Sequence, residues 1–117
     1  MKFIKSFGYA WQGILYCFKT QLNFRIHLLA MVVTIAAGFI FAISKTEWLF
    51  ITGCCMMVLV TEMINTAMEK ICDTITGDIH PVIKIIKDVA AGAVLISAAG
   101  SAVIGGIIFL PKIFDLL

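Results

Sequence analysis

Residues 89–110, VAAGAVLISAAGSAVIGGIIFL, run for 22 positions without a charge and are closed by Pro111. At about 1.5 Å per residue, a helix of roughly 20 residues crosses a hydrocarbon core of roughly 30 Å. Two more stretches read the same way. Residues 26–44 give 19 positions in which His27 is the only ionisable side chain. A third run starts at Trp48, stays free of charge through Thr61, and then meets Glu62. Across all 117 residues, 62% are hydrophobic and 14% are charged. A soluble domain is nearer half apolar and a quarter charged, so this chain has too little polar surface to cover a small globule. The pattern predicts an all-α integral membrane protein with one domain over 1–117. It comprises a surface helix at 1–22 and spans at 26–44, 48–74 (with a cytoplasmic extension) and 84–110.

Basic residues set the expected orientation. Lys2, Lys5, Lys19 and Arg25 precede the first span, and Lys70, Lys84 and Lys87 lie between the second and third. Only Lys45 and Lys112 fall on the other side. The positive-inside rule puts the N-terminus and the 70–88 loop in the cytoplasm. It makes this a multi-pass protein of the cytoplasmic membrane. Trp48 suits the outer interface, where an amphipathic ring is favoured.

The N-terminal segment does not read as a signal peptide, because Lys5, Gln12 and Lys19 interrupt its apolar residues. Phe3, Phe7, Ala10, Ile14 and Cys17 or Phe18 recur at helical spacing, which predicts a helix lying in the interface; a frayed leader is the plainer alternative. The cysteines Cys17, Cys54, Cys55 and Cys72 form no CxxC pair and read as apolar thiols. The third span is rich in small residues, from Ala90 to Ala93, Ser97 to Ala102, and Gly105 with Gly106. Small faces let helices approach closely, and three helices bury little of themselves, so self-association is expected.

The chemistry concentrates in residues 61–73, TEMINTAMEKICD. Glu62, Asn65, Glu69 and Asp73 stand at i, i+3, i+7 and i+11, on one face of a helix. Glu62 lies 14 residues past Trp48, about 21 Å along the helix, toward the cytoplasmic end of the hydrocarbon. A carboxylate at such depth costs about 2.5–3.5 kcal/mol to insert and is functional by default; the alternative is a protonated Glu62 hydrogen-bonding a neighbouring helix. Three further polar residues on the same stripe exceed what one packing contact needs. Beyond the stripe, Asp78-Ile79-His80-Pro81 makes a polar turn, with Pro81 biasing His80 away from helix. A Lys87-Asp88 pair beside an acidic face suits phosphates with a divalent metal, although lysines at this boundary usually serve only as topological anchors. The chain contains neither a P-loop nor a kinase-type glycine-rich loop.

Residues 62–73, then His80 and KDVAAGAVL at 87–95, resemble the small prokaryotic diacylglycerol kinase family, which includes the undecaprenol kinases. GYAWQG at 8–13 and NFRIH at 23–27 fit the same pattern, so the likeness spans essentially the whole chain. It implies a homotrimer of three-span protomers that phosphorylates the primary hydroxyl of a membrane lipid with ATP and Mg²⁺. Glu62 matches the catalytic base, Glu69 the metal-binding glutamate, and Asn65 an active-site polar residue. Lys2, Tyr9, Glu69, Asp78, Ile79, His80, Lys87 and Asp88 match positions around the nucleotide. Asn65, Glu62 and Arg25 match the lipid side. Gln21 stands where the family usually has a second metal-binding glutamate, and an amide brings no charge to a hard cation. NFRIH and KDVAAGAVL stand closer to the undecaprenol branch than to the enterobacterial diacylglycerol branch. The implied partners are the lipid, ATP and further copies of the chain, with no nucleic acid. A small proton-coupled transporter is the competing reading, but it would hold its carboxylate near the midplane without a polar stripe running outward. A structural subunit would leave the stripe unexplained.

Overall fold

The structure, a computed structural model, describes residues 1–75, 77–78 and 80–117. The all-α expectation is met. Four helices follow one another as α1 (Lys2–Thr20), α2 (Leu22–Ile40), α3 (Lys45–Ile75) and α4 (Pro81–Leu116), with no strand among the described residues. The last three are long and apolar enough to cross a membrane. At 31 and 36 residues, α3 and α4 extend roughly 46 and 54 Å, well past a hydrocarbon core of about 30 Å. α3 is therefore long enough to carry the outer part of its polar stripe past an apolar layer of that thickness.

Each helix boundary has a local cause. A single extended residue, Gln21, separates α1 from α2. The break sits a few residues before the expected start of the first span, because Arg25 folds back across it. Its guanidinium donates from one Nη to the carbonyls of Phe18 at 2.9 Å and Lys19 at 3.1 Å, satisfying the end of α1. Between α2 and α3, Ala42 takes a positive φ of 50°. Ser44 and Glu47 then cap α3 reciprocally: the Ser44 amide donates to Glu47 Oε1 at 2.9 Å, and the Glu47 amide to Ser44 Oγ at 3.1 Å. At α4, His80 is extended as Pro81 demands, and its Nδ1 accepts from the Val82 amide at 3.2 Å.

Pro111 does not end α4. The helix continues through it to Leu116. Proline inside a helix removes one hydrogen bond and crowds the preceding turn. Spanning helices accommodate it where neighbouring groups re-satisfy the backbone.

α3 is the central element and packs along α4 and against α2. At the end remote from the polar stripe, Ile43, Ile51 and Ile108 form a small core flanked by Phe41, Trp48 and Phe109. Lys112 Nζ reaches Glu47 Oε2 at 2.9 Å across the same end, so Lys112 and Lys45 share a side, in keeping with the charge count. Elsewhere large apolar side chains such as Leu29, Ile40, Ile96 and Ile107 point outward. An interior this small is the expected result of three helices whose solvent is lipid.

Gly38 is fixed by Trp48. A Cβ built there would lie 2.6 Å from the indole ring, and that ring is held by Phe39, with centroids 4.9 Å apart. Gly38→Ala is expected to lower stability in detergent by about 1–3 kcal/mol, read as the thermal midpoint. Gly13→Ala, whose added carbon meets nothing within 4 Å, is expected to hold or slightly raise the midpoint, because alanine favours the helix over glycine by about 0.5–1 kcal/mol; equal midpoints for both variants would show that the indole yields.

Candidate active site

The polar stripe of α3 is buried at its Glu62 end, where Glu62, Asn65 and Thr66 are withdrawn from solvent, Glu62 to 2% exposure, and it opens outward through half-buried Glu69 to exposed Asp73. Three residues from three different parts of the chain meet there. His27, one turn into α2, places Nε2 3.7 Å from Glu62 Oε2. Thr66 donates its hydroxyl to the Glu62 carbonyl at 3.0 Å. Cys17, the buried residue of α1, sits against Thr66 and near Glu62. Burial pushes the Cys17 thiol up from its usual value; a hydrogen bond with Thr66 opposes this, and the charge on Glu62 adds to it. Cys17 is therefore a packed neutral thiol that seats α1 on α3.

One turn further along, Asn65 Nδ2 donates to Glu69 Oε1 at 3.3 Å. The other amide atom, Asn65 Oδ1, is buried without a hydrogen-bond partner. A buried amide oxygen costs roughly 1–3 kcal/mol when it accepts nothing, so this atom is held ready for a donor or a cation. Among the described residues, no group of three or more His, Cys, Asp or Glu side chains is gathered as a metal site. The donor set nevertheless fits Mg²⁺. Magnesium takes few protein oxygens and keeps water and phosphate for the rest of its octahedron, and Glu69 with Asn65 Oδ1 supplies hard oxygen donors.

Toward the end of α3 the other helices close in. Lys87 Nζ on α4 reaches Asp73 Oδ1 at 2.6 Å, and Lys84 pairs with Asp88 at 2.6 Å within α4. Lys70 lies over the Tyr16 ring of α1 at 5.5 Å from its centroid. These exposed pairs contribute little to stability, but the Lys87–Asp73 pair brings Lys87, with Asp88 beside it in the chain, to the end of the helix that carries Glu69. His80 stands at the start of the same helix, seven residues before Lys87, with one imidazole nitrogen used to cap α4. Asp78 is exposed in the turn before it, and Ile79 lies outside the described residues.

Other expected residues lie farther off or are otherwise engaged. Tyr9 and Lys2 are exposed on α1, eight and fifteen residues before Cys17, which is about 12 and 22 Å along that helix. Gln21, at the α1–α2 break, donates from Nε2 to Thr20 Oγ1 at 3.2 Å; no described contact joins it to Glu69. Arg25 is occupied by the α1 carbonyls.

Sequence reasoning singled out neither His27 nor Cys17 as members of the site. For His27 a signal existed: an ionisable residue alone in an apolar span needs a partner, and Glu62 is the matching carboxylate. Nothing in the sequence sets Cys17 apart from the other three cysteines.

The sequence profile of prokaryotic diacylglycerol kinase matches residues 8–109. The chain is similar to a diacylglycerol kinase of Synechocystis sp., with 41% identity over 115 residues, covering 96% of this chain and 65% of that protein. It therefore spans just under two thirds of that relative's length. It is also similar to an undecaprenol kinase of Bacillus subtilis, with 40% identity over 112 residues, covering 96% of this chain and 91% of that protein. A diacylglycerol kinase of Pseudomonas aeruginosa is 29% identical over 92 residues, covering 79% of this chain and 75% of that protein.

The His27–Glu62 contact makes a direct prediction. Replacing His27→Gln and Glu62→Gln singly and together should give a coupling energy of about 0.5–3 kcal/mol in detergent unfolding. Additive losses would mean that the two groups do not interact.

Proposed function

The chain belongs to the prokaryotic diacylglycerol kinase family, and from that premise we propose that it transfers the γ-phosphate of ATP to the primary hydroxyl of a membrane lipid at the cytoplasmic face of the inner membrane. The observation that carries this reading is the buried Glu62 carboxylate, one and two helical turns from the oxygens of Asn65 and Glu69. A buried base and a cation-ready pair of oxygens stand in sequence along one helix, at the depth where lipid hydroxyl and nucleotide meet.

In this reading the lipid comes sideways from the bilayer with its hydroxyl against Glu62. The carboxylate takes the hydroxyl proton as the oxygen attacks the γ-phosphorus in line, and the bond to the ADP oxygen breaks. Glu69, with Asn65 Oδ1, would hold Mg²⁺; when bound, that ion neutralises charge on the phosphate oxygens. Lys87, Asp88, His80, Asp78 and Ile79 attend the nucleotide, with Lys87 exchanging Asp73 for phosphate. Tyr9 and Lys2 reach it only as α1 lies across the face. Arg25 serves the lipid side through α1, whose end it caps. Gln21 contributes no charge to the metal.

The small-residue face of α4 supports self-association in the membrane, with the homotrimer taken from the family resemblance. Relatives at nearly equal identity are named for diacylglycerol and for undecaprenol, so the preference for undecaprenol rests on NFRIH and KDVAAGAVL.

Glu62→Gln should reduce transfer from labelled ATP by about 10²–10⁴-fold with the oligomer intact; substantial retained turnover overturns Glu62 as base. Gln21→Glu is expected to raise turnover at limiting magnesium, and unchanged turnover would show that the missing charge is dispensable. Offered both lipids in mixed micelles, the protein should phosphorylate undecaprenol faster than diacylglycerol.

A further inference from the structure

α1 joins the rest of the chain through one extended residue, Gln21, and of its 19 residues only Cys17 is buried. Phe3, Phe7, Trp11, Ile14 and Phe18 recur along it at steps of three and four and make one apolar face. A bilayer surface sets the depth and the roll of such a helix. It does not set the direction in which the helix points, because the membrane plane is alike in every direction. That direction has to come from contacts with the spanning helices.

Arg25 holds the last carbonyls of α1 at the hinge itself. Just beyond the hinge, two consecutive residues of α1 meet α3. Cys17 sits against Thr66, and the Lys70 ammonium lies 5.5 Å from the centroid of the Tyr16 ring, within reach of a cation–π contact. Thr66 and Lys70 stand one helical turn apart. Either contact alone fixes a point on α1; the two together fix its direction. Asp73, three residues beyond Lys70, is held by Lys87 at 2.6 Å, and Glu69 is the residue before Lys70.

The contact is small in energy, but it acts on a long lever. Tyr9 and Lys2 lie 12 and 19 residues from Gln21, about 18 and 28 Å along the helix. A swing of about 10° at the hinge therefore moves Tyr9 by about 3 Å and Lys2 by about 5 Å, which is enough to break a hydrogen bond. We propose that Lys70 is a positioning residue for the nucleotide: by holding Tyr16 it aims α1 and so places Tyr9 and Lys2. The inference rests on the reading of Tyr9 and Lys2 as nucleotide-side residues, and adds what directs them. A lysine serving only as a topological anchor needs no aromatic ring beside it.

Cys17, buried while α1 is seated, reports loosening without any nucleotide. In the full chain in micelles, its alkylation by N-ethylmaleimide is followed by mass spectrometry. An exposed cation–π contact is worth about two- to fivefold in an equilibrium. The Cys17 rate should rise by about that factor in Lys70→Met and in Tyr16→Leu, and no further in the double variant, while Cys72 on α3 keeps its rate. KM for ATP should rise by the same factor with KM for the lipid unchanged. Lys70→Arg and Tyr16→Phe keep the cation and the ring, and should retain the parent values of both. An unchanged Cys17 rate in the folded variants, or effects that add in the double variant, would overturn the contact. A faster Cys17 rate with KM for ATP unchanged would reduce Lys70 to an anchor and overturn its positioning role. If the Cys17 rates change as expected while neither parent nor variants phosphorylate any lipid alcohol, the kinase reading falls and the contact that aims α1 stands.

Discussion

A carboxylate buried within a membrane-spanning helix is the constraint around which the other elements are arranged. Glu62 is almost wholly withdrawn from solvent, and an ion in that position is tolerated only where other polar groups answer it. The answer comes from separate helices. α2 supplies His27 to the carboxylate, α1 closes the side with Cys17, and Thr66 one turn on donates to the Glu62 backbone carbonyl. A helix carrying Glu62 alone would be a poor span. The same helix packed against α1 and α2 becomes the centre of the fold.

Holding those partners in place is the work of the helix ends. The last backbone groups at each helix end have no intrahelical partner, and here side chains take them. Arg25 satisfies the end of α1 and so fixes the surface helix where Cys17 can reach Thr66. The Ser44–Glu47 box starts α3, and Glu47 also binds Lys112 on α4. At the other end Lys87 meets Asp73. α3 and α4 are thus tied by a charge pair at each end, with a small apolar core near one of them and the polar stripe near the other.

How much of this was readable in the chain differs by residue. The stripe of Glu62, Asn65 and Glu69 is a matter of spacing within one helix, and intrahelical geometry is set by 100° per residue. Its burial is not, because the same spacing describes a solvated face. His27 illustrates the difference. It interrupts an otherwise apolar span, yet only the rotation of α2 against α3 decides that its imidazole meets Glu62. Arg25 matches the family pattern on the lipid side, while its guanidinium lies on the carbonyls that α1 leaves unpaired. Pro111 reads as a stop signal in water; within a spanning helix the chain carries on through it.

Composition and hydropathy alone determined three apolar helices, the order of their charged ends, and a polar face on the second. These depend on the number and sequence of residues, because lipid admits few backbone conformations and helix length follows directly from them. The tertiary structure decided which groups face that polar stripe, that Asn65 keeps a carbonyl oxygen without a partner, and that Lys70 of α3 meets the Tyr16 ring of α1. Each depends on how one helix is turned and shifted against another. In lipid that is settled by close packing and by the pairing of buried polar groups, neither of which is encoded in any single helix.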